Sequence, residues 1–138
     1  MSLSFEHRLP TVDEHGVLAA SVGWSDHFDP ETIGASIAGS SFGVVAIKDG
    51  EAVGMARIVG DGVHYFYIQD VIVHPDHSDD GLGSQLVGHL LDWIAATAPS
   101  EAFVGLFASP EAVDLYREFR FETTDMTGMH RFVLPEGR

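Results

Sequence analysis

The stretch from Tyr65 to Ile94 constrains this chain most. Val63 to Val73 is a β-rich run, Pro75 ends it, and the polar loop Pro75-Asp76-His77-Ser78-Asp79-Asp80 leads into Gly81-Leu82-Gly83-Ser84. From there Leu82, Leu86, Leu90 and Ile94 recur at helical spacing to about Thr97, before Pro99 stops the run. A strand therefore passes through a glycine-containing loop into a long helix. Glycines at 81 and 83 allow a tight turn and a close backbone approach, and the first N–H groups of any helix are unpaired donors with partial positive charge. Such a junction is either a plain strand-to-helix turn or an anion site. Two other phosphate motifs are excluded: no Gly-x-x-x-x-Gly-Lys occurs, and Leu86 stands where a dinucleotide fingerprint needs its third glycine.

The flanking sequence supplies the remaining elements. Ser4 to Leu9 reads as a short strand, and Thr11 before Val12-Asp13-Glu14 reads as the cap of a helix reaching about Val22, with Gly16 lowering its helix propensity. Asp29-Pro30 opens a second helix carrying Ile33 and Ile37 and stopping near Gly39. Phe42 to Ile47 and Ala52 to Val59 are strands joined across Lys48-Asp49-Gly50-Glu51, and Asp-Gly is a hairpin signal. With Val63 to Val73 they predict an antiparallel meander. Ala102 to Ala108 is again a strand, Ser109-Pro110 caps a helix bearing Ala112, Leu115, Tyr116 and Phe119, and two short strands are predicted near Phe121 to Thr124 and Met129 to Leu134. The predicted order is β-α-α-β-β-β-α-β-α-β-β. Gly39-Ser40-Ser41-Phe42-Gly43 fits the letters of a nucleophile elbow, but that motif needs a strand before it and a helix after it; here the order is reversed.

Composition bounds the function classes. At 138 residues and 45% apolar content the chain is expected to be one folded domain over 1–138. Six arginines and the single Lys48 face 21 acidic residues, giving a net charge of −14 that would still be −6 with all eight histidines protonated. Binding to nucleic acid or an anionic membrane is thereby disfavoured. The chain has no cysteine, so thiolate zinc sites and a cysteine nucleophile are excluded. The N-terminal residues have no apolar signal region and no stretch approaches the roughly 18 apolar residues of a membrane span, so a cytoplasmic location is expected. The acidity also fits a salt-adapted source, where ionic strength screens the repulsion, and a low-lysine genome would give part of the same pattern.

Asp70-Val71-Ile72-Val73-His74-Pro75, then Ser78-Asp79-Asp80-Gly81-Leu82-Gly83-Ser84-Gln85-Leu86, then Leu115-Tyr116-Arg117-Glu118-Phe119-Arg120-Phe121 resembles the GNAT superfamily of N-acetyltransferases. Leu106-Phe107-Ala108 with Val113, Tyr116, Phe121 and Gly128-Met129 is similar to its small bacterial, archaeal and plastid members that acetylate small amines, arylalkylamines included. The resemblance implies an α/β fold with a mixed, mostly antiparallel sheet splayed in the middle and flanked by helices, holding acetyl-CoA as co-substrate. It implies that the backbone of Val71 and Val73 pairs with the pantetheine arm, with Ile72 near the thioester. The pyrophosphate would rest on amides from Ser78, Asp79, Asp80, Gly81, Leu82, Gly83 and Ser84, and Ser109 takes the place of an asparagine that touches the cofactor in many relatives. Tyr116 matches the family's general acid.

Two departures stand out. Ser78, Asp79 and Asp80 occupy a loop that usually begins with arginine or glutamine, which sets two carboxylates beside an anionic ligand. Arg120 stands where relatives commonly have glycine, which puts the local turn in question.

The remaining roles rest on the residues themselves. Asp70, alone in the apolar run Phe66-Tyr67-Ile68-Gln69-Asp70-Val71-Ile72, is the candidate base, with desolvation expected to raise its pKa; the other reading is a buried structural carboxylate. Trp24, Phe28, Tyr65 and Tyr67 are candidates for an aromatic pocket that takes a cationic small-molecule amine, or are plain core. The expected activity is direct acetyl transfer from acetyl-CoA to a primary amine, without a metal and with a homodimer left open. A non-catalytic acyl-CoA-binding sensor of the same fold is the alternative, followed by a divalent-metal module built on His74, Asp76, His77, Asp79 and Asp80.

Overall fold

The computed structural model describes residues 2–137. The chain runs through β1 (Leu3–Glu6), α1 (Val12–Ser21), α2 (Ile33–Ala38), β2 (Phe42–Lys48), β3 (Glu51–Gly60), β4 (Tyr65–Val73), α3 (Leu82–Thr97), β5 (Phe103–Gly105) and α4 (Val113–Glu118), with 3-10 turns at Ser25–His27, Pro75–His77 and Pro110–Ala112. Two compact units result, Met1–Leu106 and Phe107–Arg138. Among the described residues no helix is long and apolar enough to cross a membrane.

The first unit holds a five-stranded sheet in chain order. β1 to β4 pair antiparallel, and β5 pairs parallel to β4. The β2–β3 hairpin turns on Asp49 and Gly50, both left-handed at φ 52° and 82°, as a two-residue hairpin of this hand requires. α1 begins with a reciprocal cap: Thr11 Oγ1 accepts from the Glu14 amide at 3.0 Å, and Glu14 Oε1 accepts from the Thr11 amide at 2.9 Å. Such a cap contributes about 1 kcal/mol, enough to offset an exposed Gly16.

Adjacent residues of β3 show which helix covers which face. A Cβ on Gly54 would lie 3.1 Å from Leu86 Cδ1 of α3, whereas Met55 packs with Leu18 and Ala19 of α1. α3 therefore covers one face, burying Leu82, Leu86, Val87, Leu90 and Ile94, and its Trp93 stacks on Phe42 at 4.8 Å. α1 covers the other.

In the middle of β4 the register breaks. Arg57 pairs with Gln69, but Met55 pairs with Ile72, so Ala56 alone opposes both Asp70 and Val71. This is a β-bulge, and Asp70 adopts the left-handed φ of 55° that it needs. The extra residue resets the period-2 alternation of the strand. Ile68 lies beside Ile58 before the bulge, and Ile72 lies beside Met55 after it, on the α1 face.

The second unit contains α4 and the chain beyond it. α4 ends in a double-bonded helix cap: the Arg120 amide donates to Arg117 O at 2.9 Å and the Phe121 amide to Tyr116 O at 3.2 Å, with Arg120 left-handed at φ 69°. The Tyr116 and Phe121 rings meet edge to face at 5.8 Å, the apolar contact that accompanies such caps. Arg120 thus makes this left-handed turn without a glycine. The strands predicted near Phe121 to Thr124 and Met129 to Leu134 do not form, and 121–137 carries no strand. Met129, Phe132 and Leu134 are each more than 80% exposed. β-propensity is realised only where a backbone ladder and a covered face are available, and this segment has neither.

Candidate functional site

β4 pairs with β5 only from Tyr65 to Tyr67, the last register pair being Tyr67 with Gly105. Beyond that point the β5 side of β4 has no strand partner among the described residues, and Val71, Ile72 and Val73 lie along this stretch. The sheet opens beside this stretch, in keeping with the splay that the family resemblance implies. The Ile72 side chain is core, packed with Leu18, Ala19 and Met55, so this residue offers the opening its backbone.

The loop after β4 delivers the chain to α3. Pro75–His77 forms one 3-10 turn, and the Ser78 amide donates to Pro75 O at 3.3 Å. Gly81 is the N-cap of α3, left-handed at φ 71°, and gives the helix no side-chain cap. The first bond of the helix is Gln85 N to Gly81 O at 3.2 Å, so the amides of Leu82, Gly83 and Ser84 have no acceptor within the helix. Asp79 and Asp80 are exposed. Asp80 Oδ2 lies 3.5 Å from Lys48 Nζ and 3.6 Å from His77 Nδ1. The only lysine of the chain thus sits against one of the two carboxylates that trouble this loop. His74 Nδ1 accepts from the Asp76 amide at 3.1 Å, and among the described residues no three histidine or carboxylate side chains gather as a metal site.

Asp70 differs most from its expected state. It is buried, with Oδ2 accepting from Arg57 Nε at 2.8 Å and from His15 Nε2 at 2.9 Å, while Oδ1 accepts from Gln69 Nε2 at 2.8 Å. Burial pushes its carboxyl up, as anticipated, but the hydrogen bonds from Gln69, His15 and Arg57 and the Arg57 charge outweigh it and hold the group below the ordinary carboxylate value. The expected rise does not occur, because desolvation was weighed without the donors that tertiary structure supplies. Arg57 continues outward, with Nη1 donating to Ser40 Oγ at 2.9 Å and to Ser36 O at 3.2 Å.

The four aromatic candidates separate into two pairs. Trp24 and Phe28 pack against the Leu18, Ala19, Met55 and Ile72 cluster, and Phe28 meets the His15 ring edge-on at 4.6 Å. Tyr65 and Tyr67 line an open apolar depression of about 280 Å³ with Val59, Gly60, Phe66, Phe103 and Gly105, to which Trp24 and Phe28 do not contribute. Tyr67 is half-buried, and burial, reinforced by the Asp70 charge, pushes its phenol up.

In the second unit Tyr116 is buried on α4, and burial raises its hydroxyl pKa, so the phenol keeps its proton at neutral pH. Ser109 is the N-cap of the Pro110–Ala112 turn and makes no side-chain cap bond.

Sequence reasoning passed over Arg57 and His15. Arg57 is the only charge within Ala52 to Val59, as Asp70 is within its own apolar run, and two opposite lone charges on neighbouring strands signal a pair. His15, Leu18, Ala19 and Val22 share helical spacing, which puts a histidine on the buried face of α1.

A family model described as the acetyltransferase (GNAT) family matches residues 9–121, and the chain belongs to this family. A probable acetyltransferase of unknown function from meticillin-resistant Staphylococcus aureus superposes with a TM-score of 0.86 at 25% identity, covering 96% of this chain and 100% of that one. A GNAT family acetyltransferase from Streptococcus pneumoniae follows at 0.81 and 26%, covering 96% and 98%. The uncharacterized N-acetyltransferase ycf52 of the alga Pyropia yezoensis is 30% identical over 108 residues, 75% of this chain and 60% of the relative. The chain therefore spans less than two thirds of that curated relative's length. The mixed, mostly antiparallel five-stranded sheet with flanking helices is the fold these structures share with it.

Proposed function

We propose that this chain, acting as one N-acetyltransferase domain over 1–138, transfers an acetyl group from acetyl-CoA to the primary amine of a small molecule by direct attack in a ternary complex. The observation that carries this reading is the unpaired edge of β4 at Val71–Val73, followed within one loop by the uncapped N-terminus of α3. An extended pantetheine amide chain suits the first, as an added strand. A pyrophosphate suits the second, held by the amides of Leu82, Gly83 and Ser84 and approached by Ser78, Asp79, Asp80 and Gly81. Ser109 is retained as a cofactor contact on the family resemblance alone. A backbone amide of the β4 edge supports the thioester oxygen as it gains negative charge.

In this reading the acceptor nitrogen bonds to the thioester carbon and the carbon–sulfur bond breaks. Tyr116, kept protonated by burial, gives its proton to the departing sulfur. The ammonium sheds two protons: one passes to solvent before attack, and the second, lost from nitrogen once the carbon–nitrogen bond has formed, returns through solvent to the Tyr116 oxygen, so that one proton is released overall. Asp70 serves as an anchor in place of the expected base, because a carboxylate held low by three donors is a poor proton acceptor. Acceptor recognition falls to the apolar depression of Tyr65 and Tyr67, with Trp24 and Phe28 backing the strand from the core. An apolar surface on an acidic protein favours an aryl- or alkylamine cation, which accords with the small-amine branch that the sequence resembles.

Free-thiol release across a panel of primary amines tests this. Turnover with aryl- or alkylamines is expected, and Tyr116→Phe should lower kcat by roughly 10²- to 10⁴-fold. Acetyl-CoA binding without thiol release for any amine would replace the enzyme with the non-catalytic sensor.

A further inference from the structure

The buried polar network beneath β4 has no assigned role in the transfer reaction, yet it is fastened to the bulge that shapes the donor edge. Three donors converge on Asp70, and a further element holds one of them in turn. His15 comes from α1, Arg57 from β3, Gln69 from β4 itself, and Ser36 of α2, with Ser40 just beyond it, holds the far end of the guanidinium. His15, Arg57 and Asp70 are each at least 95% buried. An ionised carboxylate can only accept, so His15 Nε2 donates its proton to Asp70 and acts as a hydrogen-bonding strut. The residue they grip is the left-handed one at the register break, and the next three residues are Val71, Ile72 and Val73.

Aspartate enters this conformation at less cost than most non-glycine residues, but within a strand, where the extended φ is the alternative, its surroundings must hold it there. If Asp70 relaxed to an ordinary extended φ, the bulge would shift and every following residue of β4 would exchange faces. The amides offered along the open edge would then point elsewhere.

We propose that His15 and Arg57 are positioning residues, which clamp Asp70 in its left-handed conformation and so fix the orientation of the Val71–Val73 edge toward the acetyl donor. The role rests on the acetyl-donor reading of that edge. It predicts that loosening the clamp weakens donor recognition in a protein that is still folded.

His15→Ala and His15→Gln test it, since the glutamine amide can restore the hydrogen bond to Asp70 but cannot relay a proton as imidazole does. Thermal denaturation first sets an assay temperature at which both variants are folded. There, His15→Ala is expected to raise KM for acetyl-CoA by about 10- to 100-fold, the scale on which small displacements at reacting centres are felt. His15→Gln should recover most of that loss. An unchanged KM in folded His15→Ala, with only the melting temperature lowered, overturns the proposal and leaves the network purely structural. Equal kcat losses in both variants also overturn it, in favour of proton transfer by the imidazole. If the wild type binds no acetyl-CoA, the donor reading fails separately, and amide hydrogen exchange at Val71–Val73 decides the clamp: faster exchange in His15→Ala than in His15→Gln upholds it, and equal exchange removes it. Arg57→Lys, which keeps the charge but loses the fork to Asp70 and Ser40, should raise the same KM.

Discussion

Asp70 and Arg120 share a left-handed backbone, at φ 55° and 69°, and hold it by opposite means. At Asp70 the side chain does the work: it is buried and fastened by Arg57, His15 and Gln69. At Arg120 the side chain is exposed, and the backbone holds the turn through the two hydrogen bonds that close α4. The conformation costs about 1–2 kcal/mol at Arg120 and less at Asp70, because the short polar side chain of aspartate tolerates it better. Equal backbone geometry therefore says little about which residue a position requires. Burial and the fate of the side-chain charge decide it.

Glycine at each position is the sharpest way to break this comparison, because it removes the backbone cost at both. Asp70→Gly should nonetheless destabilise the protein by about 3–5 kcal/mol in urea titration, since Arg57 would be left as a buried charge without its partner. Stabilisation by this variant would show that the network contributes nothing. A pH series sharpens the same point. The folded Asp70 carboxyl lies below its ordinary value of 3.8, so its contribution is complete above that value and is lost as pH falls through the folded one. The slope is at most about 1.4 kcal/mol per pH unit for one proton. Asp70→Asn should flatten part of the acid limb of the stability curve, and the remainder belongs in part to Glu14, which Arg8 also holds low. An unchanged acid limb would separate Asp70 from acid stability.

Arg120→Gly should act with the opposite sign and a smaller size. Relief of the left-handed cost, less the added freedom of the unfolded chain, gives about 0.5–1 kcal/mol of stabilisation, read as a higher melting temperature. A lower melting temperature would mean that the Arg120 side chain is needed after all. The smallest effect extends the contrast to exposed charge. Asp70 is compensated by contact, whereas Asp79 depends on solvent and Asp80 on solvent with Lys48 and His77 beside it, so under the proposed acetyl-CoA reading the cost of the two carboxylates to phosphate binding is below about 1 kcal/mol. Calorimetric affinity for acetyl-CoA should therefore rise from low to molar KCl as the repulsion is screened. Steadily weaker binding with added salt would mean that attraction to the few basic groups dominates.

Much of the fold was legible because its signals are local. The capping box at Thr11, the Asp49-Gly50 turn and the Leu82, Leu86, Leu90, Ile94 stripe each declare an element within a few residues, and each element forms there. The final two strands failed for the converse reason, since their residues favour a ladder that no partner strand supplies. Near the candidate site, Gly81 makes the tight entry into α3 that its sequence position suggests, whereas the pKa of Asp70 is lowered where burial alone would raise it. The sequence displayed its burial and concealed its donors, one of which lies 55 residues away on α1.

The sequence by itself determined the order of the elements through α4, the glycine-bearing entry to α3 and membership of the GNAT family, because periodicity, turn chemistry and motif spacing are written along the chain. Only tertiary structure decided that Asp70 is an anchored anion at a strand bulge, that the four candidate aromatic residues fall into two groups, and that Lys48 meets Asp80. These facts depend on which distant side chains share a low-dielectric interior or a loop. Charge state, register and strain are set by those partners and by their distance in space.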